Sequence, residues 1–242
     1  MHACGPGSTS PDRPAEWTIL CDFDGTIGVE DVTDTLLENF GQPGWQDAEQ
    51  RWMRGEIGSA QCLSEQIALL DMSRSQLEAC LERITVDAGF AGFVRQAQAS
   101  AIPIAIVSDG LDIAIHHILQ HQRLPALPVF ANRLVQTAER RWRIDFPHRH
   151  PQCLQASGNC KCQFAQRLAP QRLLVIGDGL SDFCVASRAD HVFARARLIA
   201  ECRRASLPFT PFDRFPQLPA ALARLQAQHA AQGPRRQHDR KA

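Results

Sequence analysis

The chain of 242 residues has an ordinary globular composition, with 44% apolar and 21% charged residues and a formal net charge of zero. This balance gives no electrostatic bias toward nucleic acid or anionic membranes, and no apolar run is long enough for a transmembrane helix. Residues 1–16 lack the basic start and apolar stretch of a signal peptide, so we expect a flexible tail and a cytoplasmic protein. The nine cysteines are an odd number without an export signal, which argues against a disulfide framework.

Short apolar runs that end in acid and glycine predict buried parallel strands. The strong ones are WTILCDFDG (17–25), IPIAIVSDG (102–110) and LLVIGDG (173–179), and HVFAR (191–195) is a fourth. Within residues 129–147, VFANRLVQ and RWRIDFP on either side of the polar TAER favour a hairpin.

Amphipathic patterns between these strands predict helices, with Ser59 and Ser73 in capping positions. The predicted helices cover residues 30–40, 59–70, 73–84, 90–100 and 111–120, and a surface helix follows at 218–231. The helix at 111–120 comes directly after a strand, which is typical of a βαβ unit.

Roughly sixty residues of helical pattern separate the end of the first strand from the helix that precedes the second strand, which is more than one crossover helix needs. We therefore expect an α/β fold: a Rossmann-like, three-layer core around a parallel sheet, with a small helical cap inserted after the first strand. The predicted division is residues 1–16 as a tail, 17–28 and 86–216 as the core, 29–85 as the cap, and 217–242 as a C-terminal helix and polar tail.

Polar residues end all three strong strands. In chain order they are Asp22 and Asp24, Ser108 and Asp109, and Asp178 and Asp182. Ligands bind beyond the carboxyl ends of the strands in open parallel sheets, so we expect these side chains to converge. Close carboxylates repel one another unless a cation neutralises them or one holds a proton, and an all-oxygen set favours Mg²⁺ over zinc. One such motif is often only a turn, but three in order at three strand ends indicate a site.

Four motifs in this order resemble the haloacid dehalogenase-like phosphatase superfamily: DFDGT (22–26), the strand end at Ser108, Lys161 and GDGLSD (177–182). The position of the helical insertion is similar to that of the branch that includes phosphoserine phosphatase. The resemblance implies an enzyme, a phosphoric monoester hydrolase that uses Mg²⁺ and acts on a small phosphorylated metabolite, with no nucleic-acid or membrane partner.

The resemblance also implies roles for individual residues. Asp22 would be the nucleophile that forms an aspartyl-phosphate, and Asp24 the general acid and base. The implied metal ligands are Asp22, the backbone carbonyl of Asp24, Asp178 and, as ligand or support, Asp182. The implied phosphate contacts are Ser108, the amides of Asp109 and Gly110 at a helix N-terminus, and Lys161.

Further segments resemble the methionine-salvage phosphatases of this superfamily, which act on 2-hydroxy-3-keto-5-methylthiopentenyl-1-phosphate. These segments are IVSDGLDI, FPHRHPQC with GNCKC, and VFARARLIAECRRASLPFTPFDRF (192–215). Phosphoserine phosphatases generally have a glutamate nine residues after the nucleophile and an arginine in the cap, where this chain has Asp31 and Gln66. Gln66 carries no charge for a substrate carboxylate, which argues against phosphoserine, although a phosphoserine phosphatase stays an alternative.

The cap also contains Trp45, Trp52 and Met53, which suit a less polar pocket. Residues of this kind are more often part of a hydrophobic core, and we weight that interpretation more strongly.

The segment HRHPQCLQASGNCKCQ (148–163) holds two histidines and three cysteines, ligand types that suit zinc. One residue separates Cys160 from Cys162, however, and the second half of a paired zinc knuckle is missing. A redox-active C-x-C pair is another interpretation. We expect the cysteines to be small, buried packing residues around a helix start, with Lys161 the functional residue.

Three other functions fit part of the pattern. A receiver domain also combines clustered aspartates, a lysine and Mg²⁺, but the predicted cap and the second acid at Asp24 argue against it. A phosphotransferase would use the same aspartyl intermediate with an alcohol as acceptor. A zinc-binding interaction protein would be built on the cluster at 148–162.

Overall fold

The structure is a computed structural model that describes residues 16–168 and 171–230. Its strands are β1 (Trp17–Cys21), β2 (Ile104–Leu111), β3 (Val129–Ala138), β4 (Arg141–Asp145), β5 (Arg172–Gly177), β6 (His191–Ala194) and β7 (Phe209–Pro211). They form one sheet in the order β4-β3-β2-β1-β5-β6-β7. Every neighbouring pair is parallel except β3 and β4.

The helices pack on both faces of this sheet or follow its strands. They are α1 (Val32–Phe40), α2 (Trp45–Met53), α3 (Ser59–Ala68), α4 (Arg74–Leu81), α5 (Phe90–Ala99), α6 (Asp112–His121), α7 (Lys161–Leu168), α8 (Phe183–Ala186), α9 (Ala196–Arg204) and α10 (Leu218–Ala230). Short 3₁₀ turns at Leu180–Asp182 and Phe215–Gln217 precede α8 and α10.

Alternating residues of the central strands enter two different hydrophobic clusters, because side chains of a strand point to opposite faces. In β1, Ile19 faces the cluster that contains Phe93 of α5, whereas Leu20 faces the cluster that contains Phe164 of α7. Helices therefore cover both faces of the sheet. The predicted α/β fold with a three-layer, mainly parallel core is confirmed.

The predicted hairpin forms as β3 and β4, and it also extends the main sheet, since Val129 pairs with Ile106 of β2. The sequence patterns missed α2, α9 and two short elements, the four-residue α8 and the three-residue β7. Ser73 caps α4 as predicted, through a complete capping box. The prediction for Ser59 was wrong: the N-cap of α3 is Gly58, and Ser59 is the first helical residue.

The helix predicted on the surface near the C-terminus is α10, and one face of it is buried. Leu218, Leu222 and Leu225 belong to the same hydrophobic cluster as the helices on that side of the sheet. Apolar residues at intervals of three and four place this stripe on a single face. The polar residues predicted after α10 lie outside the described residues, as does most of the predicted N-terminal tail.

Helices α1–α4 lie between β1 and α5, and the two ends of this stretch meet. Gly28 and Val86 form an isolated antiparallel bridge, Val29 N–H donates to the Thr85 carbonyl at 2.9 Å, and Asp87 N–H donates to the Ile27 carbonyl at 3.0 Å. The chain thus leaves the sheet and returns to it through two backbone segments, residues 27–29 and 85–87, that are hydrogen-bonded to each other. Within the described ranges, no helix combines the length and apolar character needed to cross a membrane.

Candidate active site

Three strand ends meet at one edge of the sheet, because β2, β1 and β5 are neighbours. With residues of α1–α3 they surround a cavity of about 450 Å³. The predicted site residues that line it are Asp22, Asp24, Asp31, Ser108, Asp109, Gly110 and Asp178. The other two, Lys161 and Asp182, are buried and in contact with each other, and Lys161 also contacts Asp22. All nine residues therefore come together.

Lys161 is the first residue of α7, and its ammonium group lies between two carboxylates. Nζ is 2.7 Å from Oδ2 of Asp22 and 2.7 Å from Oδ1 of Asp182, and it donates to Oγ of Ser181 at 3.1 Å. Burial acts to lower the pKa of Lys161, but the charges of Asp182 and Asp22 outweigh it and raise the pKa well above its ordinary value. The side chain therefore carries a fixed positive charge beside Asp22.

The carboxylates of Asp22, Asp178 and Asp182 converge, with one oxygen of each within 4.8 Å of the others. Burial raises the pKa of Asp22, and the charge of Asp182 adds to this while Lys161 opposes it. Burial and Asp182 also raise the pKa of Asp178, to about 6. One lysine among three acids leaves an excess of negative charge, so this oxygen-rich donor set fits a hard divalent cation such as Mg²⁺.

The two acids of the GDGLSD motif have different surroundings. Asp182 has both oxygens engaged, because Oδ1 accepts from Lys161 while Oδ2 accepts from the backbone N–H groups of Asp178 at 3.0 Å and Gly179 at 3.3 Å. Asp178 accepts from Thr26 Oγ1 at 3.1 Å and lines the cavity. This arrangement suits Asp178 as a metal ligand and Asp182 as the group that positions Lys161 and the strand-end turn.

Asp24 lies in the loop after β1 and accepts hydrogen bonds from two other elements. Its Oδ1 accepts from the backbone N–H of Val32 at 2.9 Å, at the start of α1, and its Oδ2 accepts from Ser108 Oγ at 3.4 Å. Burial and the charge of Asp31 raise the pKa of Asp24 to about 8. At neutral pH this carboxyl group holds a proton, which is the state that a general acid needs.

Two glycines occur where the backbone passes close to these carboxylates. Gly25 has a φ of +65°, and a Cβ there would lie 2.6 Å from Asp178 Oδ2. A Cβ on Gly110 would collide with Asp24 Oδ2, and the Gly110 N–H donates to Ser108 Oγ at 2.9 Å. Both positions therefore require glycine for steric reasons.

The carboxylate of Asp109 joins three separate segments of the chain. Its Oδ2 accepts from Ser59 Oγ at the start of α3, and its Oδ1 accepts from the Asn159 N–H at 2.7 Å and from Asn132 Nδ2 at 3.2 Å. The side chain of Asp109 is thus fixed by protein donors. A phosphate contact at this residue would come from its backbone amide.

The wall that α1 and α2 contribute to the cavity is acidic. It contains Asp31, Asp34 and Glu49. Asp31 is the N-cap of α1 and accepts from the Asp34 N–H at 3.0 Å. Burial and the charge of Glu49 raise the pKa of Asp34 to about 6. Clustered acids of this kind oppose an anionic group on the non-phosphate part of a substrate.

The remaining cap-side lining is neutral. Gln66 is buried and donates through Nε2 to Glu49 Oε2 at 3.1 Å. Trp52 and Met53 at the end of α2 line the cavity, whereas Trp45 packs against the main hydrophobic cluster. The expectation that all three would be core residues is therefore wrong for Trp52 and Met53.

The cysteines around Lys161 pack beside the sheet. Cys160 and Cys162 are buried in the cluster that contains Phe164, and the ring of His148 lies edge-on to Phe164 at 5.2 Å. Cys162 has its Sγ 2.8 Å from Sγ of Cys184, a residue outside the 148–163 segment. No three ligand atoms of this segment's histidines and cysteines fall within 4.8 Å of one another in the part of the chain that the structure describes.

Several polar residues that hold the site together escaped the sequence patterns. They are Ser59, Asn132, Asn159 and Ser181. Arg197, which lines the cavity, was not identified either. Asn159 donates through Nδ2 to the carbonyls of Ser108 at 2.8 Å and Phe130 at 2.7 Å, which fixes the end of β2. Ser181 lies inside the GDGLSD motif and Asn159 lies two residues before Lys161, so proximity to a motif was the available signal for these two.

Comparison with known proteins agrees with this geometry. The family model for haloacid dehalogenase-like hydrolases matches residues 19–187. This chain belongs to the haloacid dehalogenase-like hydrolases. The expected superfamily and enzyme class, a phosphoric monoester hydrolase, are confirmed.

Two curated relatives and one solved structure illustrate the position of the chain within the haloacid dehalogenase-like hydrolases. A 2-hydroxy-3-keto-5-methylthiopentenyl-1-phosphate phosphatase from Exiguobacterium sp. is 31% identical over 84% of this chain and 96% of its own length. The enzyme of the same name from Geobacillus kaustophilus is 32% identical over 86% of this chain and 96% of its own. A phosphoserine phosphatase structure with a phospho-aspartyl intermediate analogue matches with a TM-score of 0.65 at 21% identity, covering 84% of this chain and 95% of that one.

Proposed function

We propose that this protein is a Mg²⁺-dependent phosphatase that hydrolyses 2-hydroxy-3-keto-5-methylthiopentenyl-1-phosphate, or a close analogue, through an aspartyl-phosphate on Asp22. One observation carries the proposal: the ammonium group of Lys161 lies 2.7 Å from Asp22, at a strand end where Asp24, Ser108 and Asp178 line the same cavity. A nucleophile, a proton donor and positive charge are thus assembled at a single position.

In the first step, an oxygen of Asp22 attacks the phosphorus atom of the ester. The Asp22 O–P bond forms as the bond from phosphorus to the substrate oxygen breaks, and that oxygen takes the proton of Asp24. The raised pKa of Asp24, about 8, keeps this proton available at neutral pH.

In the second step, a water molecule attacks the phosphorus atom of the aspartyl-phosphate. Asp24, now a carboxylate, takes a proton from this water, and the bond between Asp22 and phosphorus breaks. Inorganic phosphate leaves and both aspartates return to their starting states. The hydrogen bond from Val32 N–H, at 2.9 Å, holds Asp24 in position for both transfers.

Positive charge beside the phosphoryl group would come from two sources. Lys161 supplies one charge through its fixed position beside Asp22. Asp22, the carbonyl of Asp24 and Asp178 would hold Mg²⁺, which would add charge that lowers the repulsion between carboxylate and phosphate. Asp182 would support both, since it binds Lys161 and the backbone at Asp178.

The phosphate would bind at the end of β2. Ser108 Oγ and the backbone amides of Asp109 and Gly110 belong to the last residues of β2, which leads directly into α6, whose N-terminus favours anions. The absence of a side chain at Gly110 lets Asp24 Oδ2 lie directly against the backbone of β2, beside the proposed phosphate site.

The choice of substrate depends on the cavity wall from α1–α3. Asp31, Asp34 and Glu49 disfavour a substrate carboxylate, and Gln66 offers no charge to bind one. Trp52 and Met53 provide apolar surface that suits a methylthio group. These features support the substrate in the names of the curated relatives over phosphoserine, which carries both a carboxylate and an ammonium group.

A panel of phosphorylated metabolites tests the proposal. The purified protein with Mg²⁺ is incubated with the methylthiopentenyl phosphate, phosphoserine and simple sugar phosphates, and phosphate release is measured. We expect kcat/KM for the methylthiopentenyl phosphate to exceed that for phosphoserine by at least about 100-fold. A higher value for phosphoserine would contradict the substrate assignment.

A second assay separates hydrolysis from phosphoryl transfer. Product analysis with and without added alcohols shows whether the phosphoryl group reaches water or another acceptor. Inorganic phosphate as the product in both cases supports a phosphatase, whereas phosphorylated alcohol as the main product would identify a phosphotransferase.

A further inference from the structure

A second group of metal-ligating side chains lies away from the proposed catalytic cavity. Among the described residues, two sets of three such side chains have ligand atoms within 4.8 Å of one another. One is the aspartate cluster at the strand ends, and the other is Glu82, His117 and His121. None of these last three lines the catalytic cavity.

The three ligands come from two helices on different parts of the chain. His117 and His121 are four residues apart on α6, so both rings lie on one face of that helix. Their rings are stacked, with centroids 6.2 Å apart and planes within 8°. Glu82 is the C-cap of α4, and α4 and α6 are in contact. The set therefore bridges the helical segment after β1 and a helix that packs on the sheet.

Two side chains of this set lack protein partners within the described part of the chain. His117 Nε2 is buried and has no hydrogen-bond partner among the described residues. Glu82 takes part in none of the ion pairs between described residues. A buried ring nitrogen without a partner is destabilising, and a metal ion bound through this nitrogen would satisfy it.

Helix ends add a favourable field for a cation. Glu82 caps the carboxyl end of α4, and His121 is the last residue of α6. The carboxyl end of a helix carries partial negative charge, so a carboxylate there is unfavourable and a cation is favourable. Two such ends close together strengthen this preference.

We propose that Glu82, His117 and His121 form a binding site for a divalent transition metal ion, with Zn²⁺ the best match. Two imidazoles and one carboxylate are a common zinc ligand set, with the fourth position open to water. Zinc bonds of about 2.0–2.1 Å place tetrahedral ligand atoms roughly 3.4 Å apart. Glu82 and His121 are exposed and free to rotate toward half-buried His117, which closes the remaining distance.

A bound ion would fasten α4 to α6. Because α4 belongs to the stretch between Gly28 and Val86, this link would restrain that stretch where it rests on α6. Zinc would then stabilise the fold without taking part in the proposed phosphate chemistry.

Metal binding to the full-length chain tests the proposal directly. Chelator-treated protein without an affinity tag is titrated with Zn²⁺ against a chromophoric competitor, with Mg²⁺ in excess to occupy the aspartate cluster. The variants are His117→Ala and Glu82→Gln, and the matched control is His116→Ala, an exposed histidine of the same helix outside the set. We expect wild type and the control to bind one more equivalent of zinc than His117→Ala, and Glu82→Gln to weaken that site at least tenfold.

Two further measurements test whether the ion binds at these three residues and stabilises the fold. Zinc should raise the midpoint of thermal unfolding of wild type and His116→Ala but not of His117→Ala. Glu82 is exposed, so Glu82→Gln should unfold at the wild-type temperature without metal and serves as the folded control. Co²⁺ bound in place of zinc should give visible d–d bands without thiolate charge-transfer absorption. Unchanged stoichiometry and affinity in both variants, or a thiolate spectrum that assigns the ion to cysteines, would overturn the proposal.

Discussion

The two sides of the cavity are built in different ways. On the sheet side, Lys161 bridges Asp22 and Asp182 at 2.7 Å, and the carboxylate of Asp109 accepts from three segments. On the side of α1–α3, Asp34 and Glu49 face the cavity beside the apolar Trp52 and Met53. In the proposed mechanism, the first side carries out the reaction, and the second side contacts the part of the substrate that is attached to the phosphate. Variants on the two sides should therefore affect different kinetic constants.

The largest effect should come from Asp22→Asn, on the sheet side. The amide cannot attack phosphorus, so we expect kcat to fall by at least about 10⁴-fold. Phosphate release measures the loss, and circular dichroism checks that the fold persists. Asp47→Asn, at an exposed acid of α2, is the control and should keep wild-type activity. Substantial turnover by a clean preparation of Asp22→Asn would refute an Asp22 nucleophile.

Lys161→Met should cause the second-largest loss of activity. It removes the charge beside Asp22, so we expect kcat to fall by about 10²- to 10³-fold. It also leaves Asp22 and Asp182 buried without a counter-ion, which should lower the free energy of unfolding by about 3–5 kcal/mol.

A double variant separates these two effects of Lys161. Adding Asp182→Asn to Lys161→Met removes one of the unpaired charges and should recover part of the stability while activity stays low. Urea unfolding and phosphate release are measured on all four proteins of the cycle. Recovery of activity together with stability would mean that Lys161 acts only through folding.

On the other side, Trp52→Ala should change KM and leave kcat nearly unchanged. Loss of apolar surface should raise KM for the methylthiopentenyl phosphate by about tenfold, and the KM for a small phosphate ester without an apolar tail should hardly change. Trp52→Phe keeps most of the surface and is the matched control. A large fall in kcat for both substrates would remove the distinction between the two sides.

Ser59→Ala should have the smallest effect on activity, since it removes only hydrogen bonds that connect the two sides. Ser59 Oγ donates to Asp109 and accepts from the Gly158 N–H at 3.1 Å, and losing both bonds should cost about 1–3 kcal/mol in the free energy of unfolding. Urea unfolding measures it. Ser64→Ala is the control, because Ser64 lies on the same helix and donates only to the Ala60 carbonyl in the described structure. Equal losses of unfolding free energy in the two variants would show that the hydrogen bonds of Ser59 stabilise the fold no more than the single bond of Ser64.

The sheet side of the site was largely predictable from sequence. Strand ends carry local patterns, and parallel strands bring their carboxyl ends to one edge, so Asp22, Ser108 and Asp178 could be grouped from the chain order of their motifs. Ser59 and Asn132 could not be predicted, since their common partner Asp109 lies 50 and 23 residues away and nothing in the local pattern marks the pairing.

The cap-side wall was predictable only in part. Comparison with phosphoserine phosphatases without gaps places the neutral Gln66 where those enzymes have an arginine, and Gln66 does line the cavity. Its hydrogen-bond partner Glu49 lies on α2, a helix that the apolar periodicity does not reveal. Trp52 and Met53 were weighted as core residues because composition cannot tell a cavity wall from an interior. The boundaries of the cap and the catalytic role of each site residue stay predictions.

The backbone bridge between Gly28 and Val86 has a consequence for how such proteins diversify. Both ends of the helical stretch attach at the same point, so its length and sequence can change without shifting the register of β1 against β2 and β5. Changes within this stretch that spare Val32 and Ser59, which hydrogen-bond Asp24 and Asp109, should therefore alter what the cavity admits without displacing the strand ends. The buried side chains of the stretch share a hydrophobic cluster with β1 and α5, so the residues free to vary are those that face the cavity or solvent.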